Sequence, residues 1–177
     1  MFRYKDTTIN VLKGDIVELE VESIVNAANN TLLGGGGVDG AIHKAGGKII
    51  LEQCKRIGGC PTGESRITTA GNLPSNYVIH TVGPIYKDGK SGEDILLYNA
   101  YYNSLLLAKE YNIKSIAFPS ISTGAYNYPK EDAMRIAISG VMDFINIEDY
   151  VLKIIFVLFS DYDYELYNNY LADKFSY

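Results

Sequence analysis

The sequence predicts an α/β fold: a largely parallel sheet, apolar on both faces and covered by helices on both sides. Three observations carry that prediction. Residues 23–27, 115–118 and 154–159 are short apolar runs, as suits strands buried between layers. Segments with helical spacing of apolar residues alternate with the strands, the pattern of βα units. The chain has 177 residues, 47% apolar and 21% charged, enough for one soluble domain with a substantial core.

Taken in order, residues 7–12 alternate polar and apolar and predict the first strand, ended by Gly14 and Asp15. Residues 18–21 predict a short continuation. Residues 23–27 predict a buried strand that feeds a glycine-rich loop, and a helix-like segment follows at residues 41–45. Residues 47–57 predict a helix, stopped by Gly58, Gly59 and Pro61. Residues 65–70 alternate again, and residues 77–82 form an apolar-rich strand closed by Gly83 and Pro84. The clearest helix spans residues 94–111, with Leu97, Ala100, Tyr101, Leu105 and Ala108 on one stripe. A second spans residues 129–145, with Pro129 at its start and Ala133, Ile136, Ala137, Gly140, Val141 and Phe144 inward. The strand at 154–159 and an amphipathic helix through Leu166 and Leu171 complete one domain over residues 1–177. No linker, repeat or low-complexity tract interrupts it.

The formal net charge of −5 argues against tight sequence-independent binding of nucleic acid. No apolar run is long enough to cross a bilayer, and the first residues lack the apolar stretch of a signal peptide. A cytoplasmic location is therefore expected. Cys54 and Cys60 fit a reducing compartment and read as structural thiols. A disulfide or metal pair is the alternative, but no histidine near them in sequence completes a ligand set. No metal and no cofactor are expected.

The most informative stretch runs from Asn26 to Gly40 and contains four successive glycines, Gly34 to Gly37, followed by Val38 and Asp39. Bare backbone lets amide N–H groups approach a ligand closely. The helix start beyond it adds unpaired N–H groups and a positive dipole end, which suits phosphate. A carboxylate beside an anion site is repelled unless it has a task, so Asp39 reads as the chemical residue. A second loop, Ser122-Thr123-Gly124-Ala125-Tyr126, offers hydroxyls and free amides beyond another strand end. Two anion-binding loops at one sheet edge suggest a diphosphate held between them. Neither loop is a Walker A motif or a Gly-x-Gly-x-x-Gly fingerprint, so kinase and dehydrogenase readings are weak.

These residues carry a resemblance. Gly14-Asp15-Ile16, Ile24 to Asn29, Leu33 to His43, His80-Thr81-Val82-Gly83-Pro84 and Ala117 to Pro129 resemble macrodomains of the MacroD type, close to bacterial O-acetyl-ADP-ribose deacetylases. The resemblance spans about residues 9–171. It implies a three-layer α/β/α fold with a mostly parallel mixed central sheet that binds ADP-ribose. By that resemblance Asp15 accepts a bond from the adenine amino group with Ile16 beside it, and Phe159 packs on the ring. Gly36, Gly37 and Val38 line one side of the diphosphate, and Ser122, Thr123, Gly124, Ala125 and Tyr126 line the other. Asn29 and Asp39 face the distal ribose, with Tyr126 near it. The implied activity is hydrolysis of O-acetyl-ADP-ribose and of mono-ADP-ribose esters on Asp and Glu of proteins. An ADP-ribose reader, or a phosphatase acting on phosphorylated ADP-ribose, is the alternative. A monomer is expected, with no membrane partner, and nucleic acid is disfavoured except as an ADP-ribosylated substrate.

Each residue also has a plainer reading. Asp39 alone reads as a helix N-cap, and Asn29 ten positions back with the resemblance turns it into the catalytic carboxylate. Asp15 alone is a turn residue. Asn26 reads as a loop brace that satisfies the strand end. His43, four residues past Asp39, reads as a structural histidine, with orientation of Asp39 or a water as the alternative. His80 reads as a buried, hydrogen-bonded histidine, and Phe159 by default as core. Asp161, Asp163 and Glu165 read as the solvated start of the last helix. Asn127 stands where the resembled family commonly has glycine, and Asn tolerates the left-handed region.

Overall fold

The computed structural model describes residues 1–176. Seven strands run β1 (Phe2–Tyr4), β2 (Thr7–Lys13), β3 (Ser23–Ala27), β4 (Ser65–Thr69), β5 (Tyr77–Thr81), β6 (Ser115–Phe118) and β7 (Lys153–Leu158). Five helices run α1 (Gly37–Gly46), α2 (Lys48–Ile57), α3 (Glu93–Glu110), α4 (Lys130–Glu148) and α5 (Asp161–Lys174). The sheet order is β1-β2-β7-β6-β3-β5-β4. The five inner strands are parallel, while β1 and β4 lie antiparallel at the edges. The sheet is therefore mixed and mostly parallel, as expected.

Alternation along each inner strand divides the core into two. Val25, Ile79, Ile116, Phe118, Ile154 and Phe156 face α3, α4 and α5, and Leu97, Tyr101, Val141 and Phe144 meet them there. Ile24, Val78, Ala117, Ile155 and Val157 face the other way, against Ile42 of α1 and Ile50 and Cys54 of α2. An aromatic file crosses the first core, Tyr101–Phe118–Phe156–Tyr167, with ring centroids 5.2, 6.1 and 5.1 Å apart. The predicted stripe on α3 is wholly buried. On α4, Ala133, Ala137, Gly140, Val141 and Phe144 are buried. Ile136 is only half-buried.

Four boundaries differ from expectation. β1 has no sequence signal, and Phe2 and Tyr4 pack on Phe175 from the far end of the chain. Residues 16–18 form a 3-10 turn capped by Asp15, where a strand continuation at 18–21 was expected. Pro129 is the N-cap of α4 rather than its first residue. α1 begins at Gly37, four residues before the helix-like segment read from the sequence. Two glycines permit that early start: Gly37 has φ +57°, and a Cβ on Gly40 would lie 2.5 Å from the Gly35 carbonyl. No helix is long and apolar enough to cross a membrane among the described residues.

Candidate functional site

Five chain segments leave the C-terminal ends of the parallel strands in one row. Asp15 follows β2, Phe159 follows β7, the loop 119–126 follows β6, the stretch from Asn29 to Asp39 follows β3, and Gly83 follows β5. Because these strands are neighbours in that order, the row has a direction. A cavity of about 560 Å³ occupies its middle, a size that suits a small-molecule ligand. Asn29, Gly36, Gly37, Val38, Asp39, Ser122, Thr123, Gly124, Ala125, Tyr126 and Phe159 all line it. Thus the structure brings together eleven of the thirteen residues singled out from the sequence.

Asp15 and Ile16 are the two that do not line this cavity. Asp15 Oδ1 accepts the Val17 N–H at 3.1 Å, the turn role read for it without the resemblance. The Ile16 side chain is 2% exposed and belongs to the core beneath α1. Both still sit at the Phe159 end of the row, because Gly14 N–H bonds the Leu158 carbonyl at 3.0 Å.

Asp39 is 5% exposed, in the first turn of α1. It is not a cap. Gly36 holds the N-cap position, and the Asp39 carboxylate instead accepts a 2.8 Å bond from Asn26 Nδ2. The same Asn26 amide donates to His80 Nδ1 at 3.1 Å. The carboxylate fixes the amide's orientation, since the carbonyl oxygen turned toward it would be repelled. With Nδ1 accepting, His80 carries its proton on Nε2 and donates to Thr68 Oγ1 at 2.9 Å. Burial, then the neighbouring His43, push His80 down to about 3, so the ring is neutral. The reading of His80 as a buried, bonded histidine holds.

His43 lies one turn along α1, with Nε2 3.4 Å from Asp39 Oδ1 and without another partner among the described residues. Asn26, read as a loop brace, is instead the side chain that fixes the carboxylate. Pairing places it directly opposite His80 in β5, a contact across strands that sequence spacing does not reveal. A polar amide ending an apolar strand was the available signal.

Asn29 reaches the same corner from the other side. A Cβ on Gly35 would stand 3.1 Å from Asp39 Oδ2 and 3.4 Å from Asn29 Nδ2, so the two side chains converge over Gly35. Asn29 also braces its own loop. Its Nδ2 donates to the Gly34 carbonyl at 2.9 Å, and its Oδ1 accepts from Thr31 N and Oγ1. One amide hydrogen remains for a ligand.

The walls offer amides rather than cations. The N–H groups of Gly37, Val38 and Asp39 have no carbonyl within the helix to bond. Across the cavity, the N–H groups of Thr123, Gly124, Ala125 and Tyr126 meet no protein acceptor among the described residues. Ser122 takes φ +66°, and its Oγ is buried without a hydrogen-bond partner among the described residues. Asn127 adopts the left-handed region, φ +57°, which asparagine tolerates better than most residues. Lys130, the one basic residue on the wall among the described residues, is tied to Asp163 at 3.0 Å. Such a cleft binds an anion through oriented backbone dipoles.

The sequence matches the Macro domain family over residues 25–137. This chain belongs to that family. It is 59% identical over 164 residues to a macro domain-containing protein of Caldanaerobacter subterraneus subsp. tengcongensis, covering 90% of this chain and 93% of the relative. It is 52% identical over 170 residues to the O-acetyl-ADP-ribose deacetylase of Escherichia fergusonii, covering 94% and 96%. Among solved structures, a mutant Oceanobacillus iheyensis macrodomain with ADPR superposes with a TM-score of 0.94 at 42% identity, covering 99% and 98%.

One group of possible metal ligands lies beneath the macrodomain's cavity floor. Although no histidine is near Cys54 in sequence, folding brings its Sγ to 3.8 Å from His80 Nε2, and His43, Cys54 and His80 offer ligand atoms within 4.8 Å of one another. Both His80 nitrogens are already bonded, and burial pushes the Cys54 thiol up to about 11. The cluster therefore acts as packed support under Asn26 and Asp39, with the His80 ring neutral and the Cys54 thiol protonated. Cys60 is buried separately, its Sγ facing the Pro61 carbonyl.

Proposed function

We propose that this macrodomain binds ADP-ribose and hydrolyses esters at its distal ribose, namely O-acetyl-ADP-ribose and mono-ADP-ribosyl groups on Asp or Glu of proteins. The observation that carries the reading is the directed row at the sheet edge. An exposed aromatic stands at one end, two amide-lined loops in the middle, and a buried, side-chain-held carboxylate at the other. That is the order of base, diphosphate and ribose in ADP-ribose. The deacetylase name of the Escherichia fergusonii relative and the ADPR in the Oceanobacillus iheyensis structure support it.

In this reading Phe159 stacks on adenine, while Asp15 and Ile16 meet its edge. The amides of Gly36, Gly37 and Val38 and of residues 122–126 hold the diphosphate. The spare Asn29 amide hydrogen holds a ribose hydroxyl. Asp39, fixed through Oδ1 by Asn26, turns Oδ2 to a water and orients it for attack on the ester. Attack on the acyl carbon frees the acid and leaves the ribose oxygen to take the proton that the water gives up. Attack on the anomeric carbon of an Asp or Glu ester instead expels a stable carboxylate, so a weakly basic aspartate suffices there. Fixing the ribose against that water supplies much of the acceleration.

The test compares wild type with Asp39→Ala on both esters, with ADP-ribose affinity measured on each protein. Release by wild type, and slow release by a variant that still binds, supports the hydrolase. Binding without release makes the chain a reader. Phosphate release from a phosphorylated ADP-ribose, with no ester cleavage, makes it a phosphatase.

A further inference from the structure

Beyond Asp39 the row continues into a second space of about 220 Å³ past β5, lined in part by Asn30, Thr62, Ile85, Lys87, Leu96 and Tyr126. Gly83 and Tyr126 border both this groove and the main cavity. The groove lies on the far side of the carboxylate from Phe159, because β3 stands between β6 and β5 in the sheet. With a ribose held at Asp39, as the hydrolase reading has it, a group esterified to it would have this groove beside it across Gly83 and Tyr126.

The groove wall is prebuilt. Glu93, the first residue of α3, is 3% exposed, and its carboxylate accepts the backbone N–H groups of Lys87, Asp88, Gly89 and Ser91 at 2.7–3.1 Å. Those four bonds hold the loop in one shape and surround the Glu93 charge with donors. Asp88 turns its own carboxylate onto Lys90 N–H and the Ser91 hydroxyl. Lys87 is exposed and makes no ion pair among the described residues, in contrast to Lys130 at the other end of the row. Beside it Ile85 is 57% exposed, an aliphatic surface at the mouth. The groove thus combines a rigid wall, an apolar lip and one unpaired cation on a chain whose net charge is −5.

We propose that this groove receives the peptide segment carrying the ADP-ribosyl group, and that Lys87 selects segments with a second carboxylate next to the modified residue. The inference rests on the hydrolase reading above. An acetyl group is too small to reach the groove, so Lys87 acts on peptide substrates alone.

The experiment measures kcat/KM on three substrates: O-acetyl-ADP-ribose, a peptide ADP-ribosylated on Glu with acidic neighbours, and the same peptide with Lys neighbours. Wild type is expected to favour the acidic peptide about fivefold, the scale of one exposed ion pair. Lys87→Glu is expected to remove or reverse that preference and leave O-acetyl-ADP-ribose turnover unchanged. Lys87 is exposed, so folding is not at stake. An unchanged preference in the variant, equal slowing of all three substrates, or turnover of O-acetyl-ADP-ribose with no peptide cleaved would overturn the acceptor groove while leaving the esterase intact. If wild type cleaves none of the three, the hydrolase reading fails and the groove's role fails with it.

Discussion

The two ends of the cavity are built in opposite ways. At the β3 end Asp39 is 5% exposed and held through Asn26, His80 and Thr68, a chain of side-chain bonds reaching across the sheet to β4. At the β7 end Phe159 is 65% exposed, an aromatic face standing in solvent. The first end is preorganised by folding, and the second is completed only when something covers the ring. Substitutions at the first end should therefore disturb chemistry and stability together, while those at the second should change affinity alone.

The sharpest way to break this contrast is Asp39→Ala. It is expected to lower ester turnover by about a hundredfold or more, as loss of a positioned acid–base group does. ADP-ribose affinity should change little, because the amides and Phe159 remain. Steady-state kinetics with calorimetric titration checks both. A variant that loses binding in step with turnover would make the carboxylate a structural support, and the two ends would no longer differ in kind.

The buried end should also carry a pH dependence of stability that the open end lacks. Folding lowers His80 from its usual value to about 3, so between pH 6.5 and 3 the unfolded chain takes up a proton that the native chain refuses. Its contribution is complete above pH 6.5 and falls on acidification by about 1.4 kcal/mol per unit. Glu93, held near 2 by backbone donors, adds its own loss below about pH 4.5. Urea unfolding should give about 2 kcal/mol less stability at pH 5 than at pH 7, and the His80 ring should stay neutral by NMR throughout that range. A ring that protonates near pH 6 in the native protein would reverse the expectation.

These two predictions rest on parts of the molecule that were unequally legible in the sequence. Periodicity placed the helices at 94–111 and 129–145 and the strands of the inner sheet, because burial on one or two faces leaves a local pattern. β1 left none, since three residues are too few to show a period and its partner Phe175 is at the other end of the chain. The start of α1 was obscured by glycines that argue locally against a helix, while packing of Gly40 under the Gly35 carbonyl requires one. The Asn26–His80 pair was hidden for a related reason: it depends on which strand lies beside β3 and in what register. The loops were readable because glycine, serine and threonine declare their chemistry without any knowledge of the fold.

At the open end, Phe159→Ala is expected to weaken ADP-ribose binding about tenfold, the scale of one base stacked on an aromatic ring. Thermal stability of the unliganded protein should hardly move, because the ring is mostly exposed. Turnover at saturating substrate should persist. A fall in stability comparable to that of a core truncation would show that Phe159 packs in solution, and the contrast between the two ends would narrow.

The smallest expected effect tests the middle of the row, where the two strategies meet. Ser122 is held at φ +66° with a buried hydroxyl that no protein group satisfies. Left-handed backbone at a non-glycine residue and an unbonded buried hydroxyl both cost stability. Such strain persists where function retains it, and Ser122 stands in the cavity wall with its hydroxyl turned toward Gly83. Ser122→Gly should therefore raise the unfolding free energy of the empty protein by about 1 kcal/mol while weakening ADP-ribose several-fold, a stability–function trade at one residue. Thermal unfolding with and without ADP-ribose reads both changes in one experiment. A variant that gains stability and keeps full affinity would make the hydroxyl a bystander and leave the backbone amides as the whole of the anion site. One that loses both would show that Ser122 is bonded within the protein and belongs with the preorganised end.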